Sequence, residues 1–156
     1  MGIFYKQNWY NFLKSASANK VYHSTHEKNI SNIMQNGLLI NQTANHTLAG
    51  DWAVEYYGMQ PIYVSLKPDI YSGIVLEIDA TGYQLYPDLP ALIDTGAYLD
   101  ENGFIWWENP PKGFADQEYD IQDILNDIDL AKKVIKLTGT AAILENIPSN
   151  RIKLLR

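Results

Sequence analysis

Two apolar segments near the middle of the chain constrain the fold most. "QPIYVSLKP" (60–68) and "SGIVLEIDA" (72–80) are short, rich in Ile and Val, and bounded by Pro, Asp and Gly. That pattern predicts two strands separated by the short turn "PDIYSG". A third strand is expected in "ANKVYHST", with Val21 pointing inward, and a fourth in "TAAILENI". Helical patterns fall between and around these strands. Trp9, Phe12 and Leu13 are spaced for a short amphipathic helix within 6–17. "STHE" fits a capping box with Ser24 as N-cap and Glu27 three residues on. It opens a helix whose apolar stripe is Ile30, Ile33 and Met34, closed by Gly37. "DWAVEYYG" predicts one or two helical turns ending at Gly58, and "DQEYDIQDILNDIDLAKKVIKLTG" predicts one long helix closed by Gly139. Acidic residues crowd the start of that helix and lysines its end, as the helix dipole favours. Residues 80–116, dense in Pro, Gly, Asn and Asp, read as irregular. Helices and strands mixed without strict alternation predict an α+β fold.

The chain has 156 residues, 46% of them hydrophobic, which suits one domain spanning 1–156 with a substantial core. It has no cysteine, which removes thiolate nucleophiles, thiolate metal sites and disulfides. The formal net charge of −6 argues against broad contact with a nucleic-acid backbone. No apolar run approaches membrane-spanning length, the N-terminus has no signal-peptide core, and Lys6 stands where a myristoylation signal needs Ser or Thr. The expected location is the cytoplasm, with no membrane partner.

Several catalytic signatures are missing. Neither glycine-rich phosphate loop is present, nor the strained G-x-S-x-G turn. His23 and His26 are close in sequence but find no third ligand, so no metal is expected. The 11 tyrosines and 4 tryptophans are numerous, and several lie beside Gly or Pro. Such aromatics suit flat ligands and ordinary cores alike. The Trp106–Trp107 pair is expected to be partly core. His23 itself, at the mouth of a strand and followed by two hydroxyl residues, admits two readings: a polar strand end satisfying backbone groups, or one wall of a nucleotide pocket.

The run "VYHSTHEKNISNIMQNGLL" resembles the opening of the ADP-ribosyltransferase superfamily. "IYVS" and "VLEID" are similar to that family's next two strands, and "AAILENIPSNRIKLL" to its last strand and the turn beyond it. The resemblance covers about half the chain. It implies a split antiparallel sheet with flanking helices, an NAD cleft between the halves, and a His-Tyr-Glu signature. His23 is then the histidine that holds a ribose hydroxyl. Ser24 stands where the family usually has glycine, Thr25 matches the family threonine, and Tyr63 and Ser65 belong to the strand that shapes the cleft. Tyr71 is the match for the tyrosine stacking on nicotinamide, with Tyr56 and Tyr57 as alternatives. The family glutamate aligns with Ala141, leaving Glu145, four residues along the same strand, and Glu118 as candidate catalytic carboxylates.

The resemblance thus implies an NAD-dependent mono-ADP-ribosyltransferase of the toxin or phage and bacterial effector kind, acting on a protein or small-molecule acceptor. Ala141 supports an alternative: a non-catalytic module of the same fold that binds NAD, ADP-ribose or a partner protein. An RNA 2′-phosphotransferase-like enzyme ranks third, because that chemistry needs several arginines and this chain has two.

Overall fold

The computed structural model describes residues 20–41, 54–68 and 73–156. The helix expected within 6–17 and the tyrosine at 71 lie outside the described residues. The described chain is α+β. Its larger sheet has six strands: β1 (Lys20–Thr25), β2 (Ile62–Ser65), β3 (Ile74–Asp79), β4 (Tyr86–Pro87), β8 (Thr140–Ile143) and β9 (Ile152–Leu154), in the order β4-β8-β2-β1-β3-β9. Every neighbouring pair is antiparallel. A smaller three-stranded sheet holds β5 (Tyr98–Leu99), β6 (Phe104–Trp106) and β7 (Tyr119–Asp120), in that order. The helices are α1 (Ile30–Asn36), α2 (Leu89–Asp94), α3 (Ile121–Asn126) and α4 (Ile128–Thr138), with a further helical turn at 54–57.

β2 and β3, neighbours in sequence, do not pair; β1 lies between them. β1 and β3 share a long ladder from Lys20↔Asp79 to Thr25↔Ile74. β1 and β2 share one registered pair, Tyr22↔Ser65. The sheet is therefore two well-laddered halves joined at a narrow seam.

Strand alternation sorts the core onto two faces. Val21, Val64, Leu76, Ile78, Ala141 and Ile143 join Ile33 and Leu38 on one side. Ala142 joins Tyr57, Leu89, Ile105 and Ile124 in a second cluster, and Tyr63 packs against it. α4 serves both clusters, Ala131 and Ile135 in the first and Val134 in the second.

Four local expectations are corrected. Ser24 does not cap a helix: β1 continues through Thr25, and the next turn, Glu27–Asn29, has no side-chain cap. The ladder bonds offered by Val75 and Ile74 outweigh a single local cap, so the strand is longer and α1 shorter than the capping box implies. The long helix is two helices. Asp127 leaves helical geometry (φ −85°, ψ 114°), and its carboxylate accepts from the backbone N–H groups of Asp129 (3.0 Å) and Leu130 (3.2 Å). An aspartate that accepts the backbone N–H groups two and three residues on breaks one helix and caps the next. Within 80–116, Asp88 caps α2 by accepting the Ala91 N–H at 3.0 Å, with a proline in the first turn, and the "DENG" turn closes β5 onto β6. Those strands are too short to show alternation in the sequence. β8 ends at Ile143, so Glu145 is beyond the strand rather than on it.

Gly37 ends α1 and admits a close chain crossing. Its φ is +82° and ψ −175°, and its N–H reaches the Ile33 carbonyl at 2.7 Å. Leu38 and Ile147 then exchange two backbone bonds, at 2.9 and 2.8 Å. A Cβ at Gly37 would sit well inside the van der Waals contact distance of the Ile147 carbonyl oxygen.

Candidate functional site

A cavity opens at the seam between β1 and β2. One residue past the Tyr22↔Ser65 pair, the ladder gives way to a side chain. The His23 Nδ1–H donates to the Tyr63 carbonyl at 2.8 Å. A carbonyl only accepts, so Nδ1 carries the proton and Nε2 is left with the lone pair in the neutral ring. Burial pushes the imidazole below its usual pKa, more strongly than the Tyr63 carbonyl raises it. The ring is therefore neutral at physiological pH, in a single tautomer, with Nε2 an acceptor.

The cavity has a volume near 360 Å³. Its polar side chains are His23 and Thr25 from β1 and Asn29 and Asn32 from the turn and helix that follow; Ile33, Leu38 and Ile62 contribute apolar walls. His23 and Thr25 alternate on one strand and so share its face. The Asn29 amide N–H approaches the Thr25 hydroxyl at 3.4 Å, and the Asn36 amide donates to the Asn32 carbonyl at 2.7 Å. Asn29 thus presents its carbonyl oxygen and Asn32 its N–H₂ group for other partners.

The structure brings together only some of the residues that the sequence nominates. His23, Thr25 and Tyr63 line the cavity. Tyr63 meets His23 through its backbone carbonyl, while its ring stands edge-on to Tyr57 at 6.4 Å. Ser24, between two cavity residues on a strand, faces the other side of the sheet. Ser65 is buried, and its hydroxyl donates to the Lys67 carbonyl at 2.7 Å, away from the cavity lining. Tyr57 is not a stacking surface: it is buried, donates to the Pro87 carbonyl at 2.5 Å and accepts the Leu89 N–H at 2.8 Å. Trp107 is buried as expected, while Trp106 is half-buried and stacks on Tyr98 at 5.6 Å.

Neither candidate carboxylate lines the cavity. Glu118 is exposed and precedes β7 in the smaller sheet, not a helix. Glu145 lines a separate hollow of about 130 Å³ with Gln84, Tyr86 and Leu144. Ala141 is a different matter. Extending the β1–β2 register places His23 beside Val64, and Val64 pairs with Ala141. Ala141 therefore shares a row and a face with His23, two strands away or roughly 10 Å by strand spacing.

Scans against protein-family models, characterised proteins and solved structures find no match for this chain. The site must be judged on its own chemistry. Among the described residues, no group of three or more His, Asp or Glu is placed to hold a metal ion, and no helix is long and apolar enough to cross a membrane.

A second polar cluster lies behind the cavity, on the far face of the sheet, and sequence reasoning missed it. Asp88 and Thr140 are both about 4% exposed, the Thr140 hydroxyl favours the ionised Asp88 carboxyl, and the Tyr63 hydroxyl is buried with no hydrogen-bond partner among the described residues. Burial holds the Asp88 carboxyl above its ordinary pKa. Burial, and then the Asp88 charge, push the Tyr63 phenol well above its own. The only signal in the sequence was Asp88 ahead of Leu-Pro, which marks a cap but not its depth.

Proposed function

We propose that the chain is an NAD-using ADP-ribosyltransferase of the split-sheet type, with the His23 cavity as its ribose and nicotinamide pocket. The observation that carries this reading is the fixed tautomer of His23 where two strands part. A neutral imidazole with Nε2 as acceptor suits a ribose hydroxyl donor, and the neighbouring amides suit a carboxamide. In the reaction, the bond from ribose C1′ to the nicotinamide nitrogen breaks and nicotinamide leaves with the electron pair. The acceptor nucleophile then bonds to C1′ and gives up its proton. The pocket contributes orientation of the ribose and exclusion of water from the cationic sugar. The acceptor would be a protein or a small molecule, in keeping with a toxin or effector role.

One observation favours a second reading, a module of the same architecture that binds NAD or ADP-ribose without transfer. Ala141 holds the row opposite His23, and Glu118 and Glu145 stand outside the cavity lining. One experiment addresses both. Purified protein is incubated with NAD labelled in the nicotinamide ring, with and without cell extract, while binding and nicotinamide release are followed. Release that disappears in His23→Ala supports the transferase. Binding without release supports the module. Binding that is unchanged in His23→Ala would remove the site assignment.

A further inference from the structure

We propose that the His23 cavity selects its ligand through the phosphate-free nucleoside half, a ribose joined to an amide-bearing pyridinium ring, and draws essentially no affinity from the attached phosphates. The proposal rests on the NAD reading above and narrows it to one half of the molecule.

Three observations point this way. The first is the polar lining. His23 offers an acceptor, Asn29 an acceptor through its carbonyl, and Asn32 a donor through its N–H₂ group, each fixed by a bond to a neighbour. With His23 neutral, none of the described side chains that line the cavity bears a charge. Donors and acceptors without charge read hydroxyls and carboxamides, whereas a phosphate is normally met by a guanidinium fork or an ammonium.

The second is where the cations are: among the described residues, no lysine or arginine lines the cavity. The chain's two arginines are Arg151 and Arg156. Arg151 donates to the carbonyls of Asp79 and Thr81 and lies over the Tyr83 ring at 4.9 Å. Arg156 donates to the Pro68 carbonyl at 3.1 Å. Neither lines the cavity. The net charge of −6 adds no general attraction for a phosphate.

The third is size. About 360 Å³ lies near the lower end of the roughly 300–1,000 Å³ typical of small-molecule sites, which suits a nucleoside better than a whole dinucleotide.

The test is calorimetric titration of the full chain with nicotinamide riboside and with NAD, each at about 50 and about 300 mM salt. The expected result is a riboside Kd within about threefold of that for NAD, and an NAD Kd that changes less than about twofold with salt. NAD binding more than about tenfold tighter than the riboside, or weakening steeply with salt, would overturn the proposal while leaving the NAD reading intact. If neither ligand binds at millimolar concentration, both fail together. Asn32→Ala, on the exposed face of α1 and harmless to the core, should weaken both ligands equally, by about tenfold. Unchanged affinity for both, or a loss confined to NAD, would count against the amide's assigned role and against the proposal.

Discussion

Gly37→Ala is the sharpest test of how the chain closes the floor of the cavity. The substitution adds one methyl group and imposes two costs. A backbone at φ +82° and ψ −175° belongs to a region that is nearly glycine-only, and holding an alanine there costs about 1–3 kcal/mol. The new Cβ would also collide with the Ile147 carbonyl oxygen and lie 3.1 Å from the Pro148 Cα. Both are backbone atoms, so no side-chain rotation relieves the clash. Relief requires separating Leu38 from Ile147, which weakens two backbone hydrogen bonds worth about 0.5–1.5 kcal/mol each. Together the costs come to about 4 kcal/mol. For a chain of this size that lowers Tm by about 8–16 °C. Gly82→Ala is the control. Its φ is +84°, yet a Cβ there meets nothing within 4 Å, so only the conformational cost of about 1–2 kcal/mol applies. Urea denaturation at constant m reads both values. If the two variants fall within about 1 kcal/mol of each other, the crossing at Ile147 does not constrain Gly37 and the reasoning fails. Because Gly37 and Leu38 line the cavity, ligand affinity should fall with stability in Gly37→Ala alone.

Two further outcomes follow from buried groups. Thr140→Val removes a buried hydroxyl that favours the ionised Asp88 carboxyl and should cost about 1 kcal/mol in urea at neutral pH; a gain of that size would show that the hydroxyl does nothing for Asp88. His23 has a folded pKa below its unfolded value, so the folded state binds fewer protons between the two. Its contribution is complete above about pH 6.5 and is lost as pH falls from there through the lowered folded value. Urea midpoints at about pH 5 and pH 7.5 should converge in His23→Asn, which keeps a donor for the Tyr63 carbonyl but does not titrate; an undiminished difference would place the titration elsewhere.

Much of the larger sheet was legible because its strands carry strong local signals. "IYVS", "IVLEID" and the strand through Val21 alternate or run apolar for long enough to be read one at a time. Gly37 and Gly139 were legible as helix ends, since each supplies a positive φ where the apolar stripe stops. The break at Asp127 was harder, because the apolar spacing from Ile121 to Ile135 continues across it almost undisturbed. What breaks the helix is the Asp127 carboxylate accepting hydrogen bonds from the backbone N–H groups of Asp129 and Leu130, and spacing does not report that. β5, β6 and α2 were missed for another reason. Each is short and made stable by packing on the second core rather than by propensity.

For the site, His23 and Thr25 were nominated by local sequence, but their partners were not. Strand order placed β1 between β2 and β3, and a single pairing at Tyr22 and Ser65 left the seam where His23 could take the Tyr63 carbonyl. That bond spans 40 residues of sequence, so no local pattern encodes it. The same geometry put Asn29 and Asn32 beside His23 and kept Glu118 and Glu145 away from it. The sequence by itself determined the longer strands of the larger sheet and the helical stretches beside them, that no thiol chemistry is available, and which histidine lies on a strand. The tertiary structure alone decided the tautomer of that histidine and the uncharged character of its pocket, because both depend on groups from elements distant along the chain.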